Sequence, residues 1–190
     1  ALDERDPWPW NRLGQTSIDV DDEVATRAFD RAESLRWPDA SPRAVTHLCL
    51  PFEGAWRVTQ GNRGEFTHRR LADRFAWDFQ RVDERGAASP GPATPGADEA
   101  PAAFLAFGSP VLAPADGVVE RAEDGVPDNE DGTRNHVRAA GNVVVIRHAE
   151  GEMSHLCHLQ RGSVTVRVGD TVVRGQTIGR CGASGNAVEP

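Results

Sequence analysis

The sequence has no lysine and no tyrosine, one methionine and only three cysteines in 190 residues. Every positive charge is therefore an arginine, a coding bias with no chemistry of its own. The 21 basic residues face 29 acidic ones, for a net charge of -8, and a chain so acidic lacks the basic face that nucleic-acid binding needs. No apolar run approaches the ~20 residues of a bilayer-crossing helix. The chain begins at Ala1 and nothing near it resembles a signal peptide, so it reads as processed or truncated. Cys49, Cys157 and Cys181 lack the spacing of a zinc knot or a disulfide framework. They read as small buried hydrophobes, with a Cys157–Cys181 bridge left open for an exported protein. What remains, 38% hydrophobic and 26% charged, is the composition of a soluble globular chain. Its length fits one domain with an extension.

Residues 1–45 form that extension. A polar, proline-interrupted opening leads to a helix expected over Asp19–Arg36, with Ala25, Ala28, Phe29, Ala32 and Leu35 on one face and acidic residues crowding its first turn. Pro38 closes it. From residue 46 to 190 the pattern is β. Strands are expected at 44–50, 56–60 and 74–79, on either side of a turn at 114–117 within 108–124, then at 141–148 and 153–159, 164–168, 171–173 and 177–181. Glycine turns punctuate them. Residues 81–103, rich in Pro, Gly and Ala, read as an exposed loop, and the acidic run 124–131 as a solvated one without EF-hand spacing. Many short strands predict an all-β, antiparallel sandwich or barrel. A faint echo of Gly108–Val119 in Gly169–Ile178 hints at duplication.

The chemistry-bearing stretch is 64–79, GEFTHRRLADRFAWDF, with His68 in a glycine-bracketed loop and Asp78 at a strand end. His and Asp are both zinc-ligand types. His148 ends an apolar strand and reads as a structural hydrogen-bonder, while His47 and His136 carry no motif. His155 and His158, three apart, would face opposite sides of a regular strand.

Taken in order, these residues resemble the lysostaphin-type, LytM-like M23 zinc metallopeptidases. The resemblance runs through Val58–Gly61, Gly64–His68 and Phe75–Phe79, then Gly108–Val111 and Ala115–Val119. It continues with Gly141–Ile146 and His148, with Ser154 and His158–Leu159, with Gly175–Gly179, and with Ser184–Asn186 up to Glu189–Pro190. It implies a duplicated hybrid β-sandwich at 46–190. It also implies zinc bound by His68 and Asp78, with a third ligand in a His-x-His motif expected just beyond Pro190, and His158 as the catalytic histidine. The implied activity is endopeptidase action on peptide crosslinks of bacterial peptidoglycan, outside the cytoplasm. Peptidoglycan peptides and other cell-wall proteins would be its partners. His155 reads as a structural residue where that family often has an aromatic.

Two other readings stand beside it. One is a non-catalytic LytM-like module that binds or activates other wall hydrolases. The other is a sugar-phosphotransfer carrier of similar architecture, for which paired histidines would have to carry phosphate. Asp78 beside His68 suits zinc better.

Overall fold

The apolar run Val143 to Ile146 is a buried stretch on an inner strand of the larger sheet. The computed structural model describes residues 45–61, 68, 75–91, 100–130, 133–149, 151–187 and 189–190. In it the run belongs to β5 (Asn142–Ala149), and both faces of the run are buried. Four β-branched residues in succession favour extended backbone. Cover on both faces is why they do not alternate with polar residues.

Packing divides the chain into two units, Ala1–Arg43 with Val58–Phe79, and Ala44–Arg57 with Gln80–Pro190. In the second unit β5 is flanked by β6 (Glu152–Leu159) and β4 (Gly117–Glu123), and β4 pairs in turn with β7 (Thr171–Val172). All three pairings are antiparallel. A second antiparallel pair joins β3 (Pro110–Leu112) to β8 (Thr177–Arg180). Ala113, Val119, Val144, Ile146, Leu159, Val166, Val172 and Ile178 form one buried cluster. Each large side chain among them contributes roughly 1.5–3 kcal/mol by leaving water. β1 (Trp56–Gln60) and β2 (Asp78–Arg81) make a separate two-stranded ribbon. Among the described residues the helical content is one 3-10 turn, Pro101–Ala103. The fold is thus all-β and antiparallel, as expected; the helix expected at Asp19–Arg36 lies outside the described residues.

Among the described residues two expected strands, 44–50 and 164–168, are absent, for the same reason: their backbone groups bond elsewhere. Residues 45–50 form an extended strap. The Val45 and Thr46 amides donate to the Glu152 carboxylate at 2.6 and 2.9 Å, and the Thr46 hydroxyl also donates to it. The Cys49 amide reaches the Pro114 carbonyl at 2.8 Å. Over 164–168 the valines alternate as a strand should. Yet Thr165 alone joins a neighbour's backbone, at Ile178, while the Arg167 amide turns to the Asp170 carboxylate. Val166 is buried and Val168 exposed. β2 also begins later than expected, at Asp78, and the residues before it are irregular.

The acidic loop is not merely solvated. Asp124 accepts from the Gly125, Gly162 and Val164 amides, and Asp128 from those of Arg161 and Ala183. Their oxygens are occupied by N–H donors, which is the arrangement of a loop staple and not of a cation site. The three cysteines are free thiols. Burial, reinforced by the Asp128 carboxylate, pushes the Cys181 thiol up to about 12, which makes it inert.

One fully buried polar knot ties these parts together. The Asn142 side chain accepts from the Val126 amide at 2.8 Å and donates to the Val126 and Leu159 carbonyls at 2.9 and 2.8 Å. Its backbone amide donates to Ser184 Oγ at 2.9 Å, and that hydroxyl donates to the same Leu159 carbonyl at 2.7 Å. Every buried partner is satisfied, the condition for such a network to stabilise rather than cost. Gly141, at φ +63°, makes the approach feasible: a Cβ there would stand 2.5 Å from the Ser184 carbonyl oxygen.

Two expectations follow. Gly141→Ala adds left-handed strain and a clash, and should lower stability by about 2–4 kcal/mol. Gly125→Ala, at φ +99° in open space, should cost only the strain; comparing the two in urea denaturation checks this. The Thr46 hydroxyl, then the Val45 amide, hold the Glu152 carboxyl below its usual range. A lowered pKa means the clamp is present above about 4.3 and is lost as pH falls through the folded-state value. Hydrogen exchange, corrected for intrinsic rates, should show Val45 and Thr46 protected at pH 7 and open at about pH 3. Glu152→Ala should open them at both.

Candidate functional site

His68 and His158 are the two non-glycine residues with positive φ among those described, at +57° and +60°. That region costs an ordinary residue roughly 1–3 kcal/mol, and such strain concentrates where a side chain must be aimed. Both histidines named from the sequence therefore share a backbone peculiarity that no sequence pattern displays.

In the first unit His68 is buried, at 8% exposure, and its Nδ1 lies 3.1 Å from the Gly61 carbonyl. A carbonyl can only accept, so Nδ1 carries a proton. Nε2 lies 3.3 Å from Asp78 Oδ1. The indole of Trp77 packs over Gly61, where a Cβ would meet the ring at 3.3 Å. Trp77 also stacks on Phe79, with ring centroids 6.5 Å apart. The aromatic residues on both sides of Asp78 thus pack on one another, and one of them lies against Gly61, the residue whose carbonyl meets His68.

An imidazole nitrogen facing a carboxylate oxygen requires a cation between them, either a proton on the ring or a shared metal ion. Two ligand atoms each about 2.0–2.1 Å from a tetrahedral zinc would lie roughly 3.4 Å apart. An Nδ1–H held by a backbone carbonyl is the usual support of a metal-binding histidine. The pair fits zinc on these grounds. No cluster of three or more His, Cys, Asp or Glu side chains suited to a metal occurs among the described residues.

In the second unit His158 sits near the end of β6, where the ladder is irregular. Asn142 pairs with Leu159 and Val144 with Leu156, which leaves Val143 opposite both Cys157 and His158. This bulge breaks the alternation, so strand parity no longer sets His158 against His155. The backbone of His158 is pinned by its amide to Ala140 O at 3.0 Å and by the Gly182 amide to its carbonyl at 3.1 Å. Its Nδ1 donates to the Ser184 carbonyl at 2.8 Å, which leaves Nε2 as an acceptor.

The other histidines do different work. His148 bonds Asp116 O through Nδ1 and Ser154 Oγ through Nε2, both at 2.8 Å, the structural role expected of it. His155 carries partial desolvation and the nearby Arg121 cation, which push its imidazole below the usual histidine range. A shallow hollow of about 460 Å³ lined by His47, Asp116, His148 and Arg174 contains none of the three predicted site residues.

Sequence reasoning missed Asn142, Ser184 and Gln80. Gln80, two residues beyond Asp78 on β2, is buried and donates to Glu189 Oε2 at 2.7 Å while accepting from Arg57. The glycines beside Asn142 and Ser184 were the available signal, and they mark close approach without naming the partner.

Residues 102–190 match Peptidase family M23, a stretch that takes in His158 and leaves His68 and Asp78 outside. Three curated relatives match. The peptidoglycan DD-endopeptidase ShyC of Vibrio cholerae is 35% identical over 44% of this chain and 16% of its own length. The cell division protein DipM of Caulobacter vibrioides is 34% identical over 44% of this chain and 12% of its own. The peptidoglycan DD-endopeptidase ShyA of Vibrio cholerae is 37% identical over 45% and 17%. The chain thus spans less than a fifth of the length of these relatives. A zinc-containing peptidase from Vibrio cholerae superposes with a TM-score of 0.45 at 25% identity, over 74% of this chain and 33% of that one. The stretch at 102–190, which holds the strained, carbonyl-tethered His158, is thus similar to peptidase family M23.

Proposed function

We propose that the protein is a zinc-dependent endopeptidase that hydrolyses peptide crosslinks of bacterial peptidoglycan. The observation that carries this is His68 Nε2 at 3.3 Å from Asp78 Oδ1, with Nδ1 on the Gly61 carbonyl. The names of ShyC and ShyA, both peptidoglycan DD-endopeptidases, support the substrate class. They also support a location outside the cytoplasm, where that polymer lies. The domain is taken to run over 46–190 as a duplicated hybrid β-architecture, with 1–45 as an extension. The bonding of the strap at 45–51 to Glu152, Pro114 and Leu112 supports a boundary near there.

His68 and Asp78 would hold the zinc through Nε2 and a carboxylate oxygen, one neutral and one anionic donor. Zinc so bound supplies Lewis-acid polarisation of a peptide carbonyl and acidifies water. His158 contributes proton transfer. Its Nδ1–H is committed to Ser184, so Nε2 can accept a proton from the attacking water and return it to the departing amine. The Nδ1–H···O=C bond strengthens as the ring gains charge, which favours the protonated intermediate state of the base.

The test uses the full-length protein. His68→Ala and Asp78→Ala should each lower zinc affinity by more than the roughly 10–100-fold that loss of a supporting group costs. His158→Ala should keep its zinc, measured by elemental analysis, while kcat on crosslinked muropeptides falls about 10²–10⁴-fold. Zinc near zero in the wild type and unchanged by His68→Ala would sink the reading, in favour of a non-catalytic module that binds or activates wall hydrolases.

A further inference from the structure

We propose that Ser184 and Asn142 are positioning residues that set the tautomer of His158. This rests on the reading of His158 as the proton-transfer group and adds the device that readies it. The acceptor of Nδ1–H is a backbone carbonyl, Ser184 O, and a carbonyl is only as well aimed as its peptide. Ser184 is fully buried, and its hydroxyl fixes that peptide on both sides by accepting from the Asn142 amide and donating to Leu159 O. Leu159 is the residue after His158, and its carbonyl takes a second bond from Asn142 Nδ2 at 2.8 Å. The same two side chains therefore lock the acceptor and the peptide next to the histidine.

The surroundings remove other options. Gly141 and Gly185 allow contact too close for any Cβ, and the Asn186 and Asn135 amides hold Ala139 O and Gly185 O at 2.8 Å each. Asn129 Nδ2 donates to Gly185 O and Ala187 O at 2.8 and 2.7 Å. The loop around Ser184 is thus over-determined, and the +60° φ of His158 is sustained by bonds at its amide, its carbonyl and its ring. A freely rotating imidazole in water favours the Nε2–H form, which would put a donor where a base needs a lone pair. The carbonyl of Ser184 selects the other form.

Long-range nitrogen-15 NMR of the full-length protein reads the tautomer directly. The wild type should show His158 as Nδ1–H; Ser184→Ala, which strands the Asn142 amide and leaves the Leu159 carbonyl to Asn142 Nδ2 alone, should shift it toward a mixture. kcat should drop at least about tenfold with KM unchanged. Ser184→Cys, nearly isosteric, keeps a weak donor and should recover part of both; it also serves if the alanine variant does not fold. Ile178→Ala, a core cavity away from the knot, controls for stability alone. A Ser184→Ala or Ser184→Cys protein that loses stability like Ile178→Ala but keeps the pure Nδ1–H tautomer would overturn the proposal. Full activity in His158→Ala would overturn the catalytic reading instead, and the tautomer shift would still be there to see.

Discussion

The buried amide of Asn142 is the interaction on which the described β-domain depends. It sits with no exposure at the start of the central strand, where an unpaired amide would cost roughly 1–3 kcal/mol. Every strand-to-loop junction near the candidate base is arranged to satisfy it. Val126 comes from the acidic loop, Leu159 from the end of β6, and Ser184 from the segment after β8. One residue, through its side chain and its backbone amide, thus converts three separate stretches of sequence into one wall. The bulge in β6 belongs to the same arrangement, because Leu159 cannot pair with Asn142 while Leu156 pairs with Val144 unless one residue is extra.

A shared device appears once in each unit. His68 and His158 both adopt left-handed backbone and both give their Nδ1 to a backbone carbonyl. The consequence is the same, an Nε2 held in a fixed direction, but the surroundings differ. His68 faces a carboxylate, which suits a shared cation. His158 has no carboxylate bonded to its ring among the described hydrogen bonds, which suits a group that must gain and lose a proton. The division of labour between ligand and base follows from what each nitrogen meets.

Much of the fold was legible in the sequence because its signals are local. The run Val143–Ile146 could only be a covered strand, and glycine turns bound β8 closely to where they were expected. The valines at 164, 166 and 168 misled, since alternation records which side chains face inward and not whether the backbone finds a ladder partner. The strap at 45–50 misled likewise: its amides are taken by Glu152 and Pro114, neither of them nearby in sequence. The acidic loop was read as solvated because carboxylates usually are; here the N–H groups of Gly162, Val164 and Ala183, some 40 to 55 residues later, take up their oxygens.

The sequence by itself determined an antiparallel β-protein, its acidic surface, and the identity of His68, Asp78 and His158 as the residues to watch. The first two follow from periodicity and composition, and the three residues from the resemblance of the motifs, in order, to a known family. Tertiary structure alone decided which nitrogen of each histidine meets a carbonyl, that both backbones are strained, and that Asn142 and Ser184 hold one of them in place. The reason is physical. Propensity acts over a few neighbours, whereas a hydrogen bond's direction depends on where a carbonyl 26 residues away, that of Ser184, comes to rest.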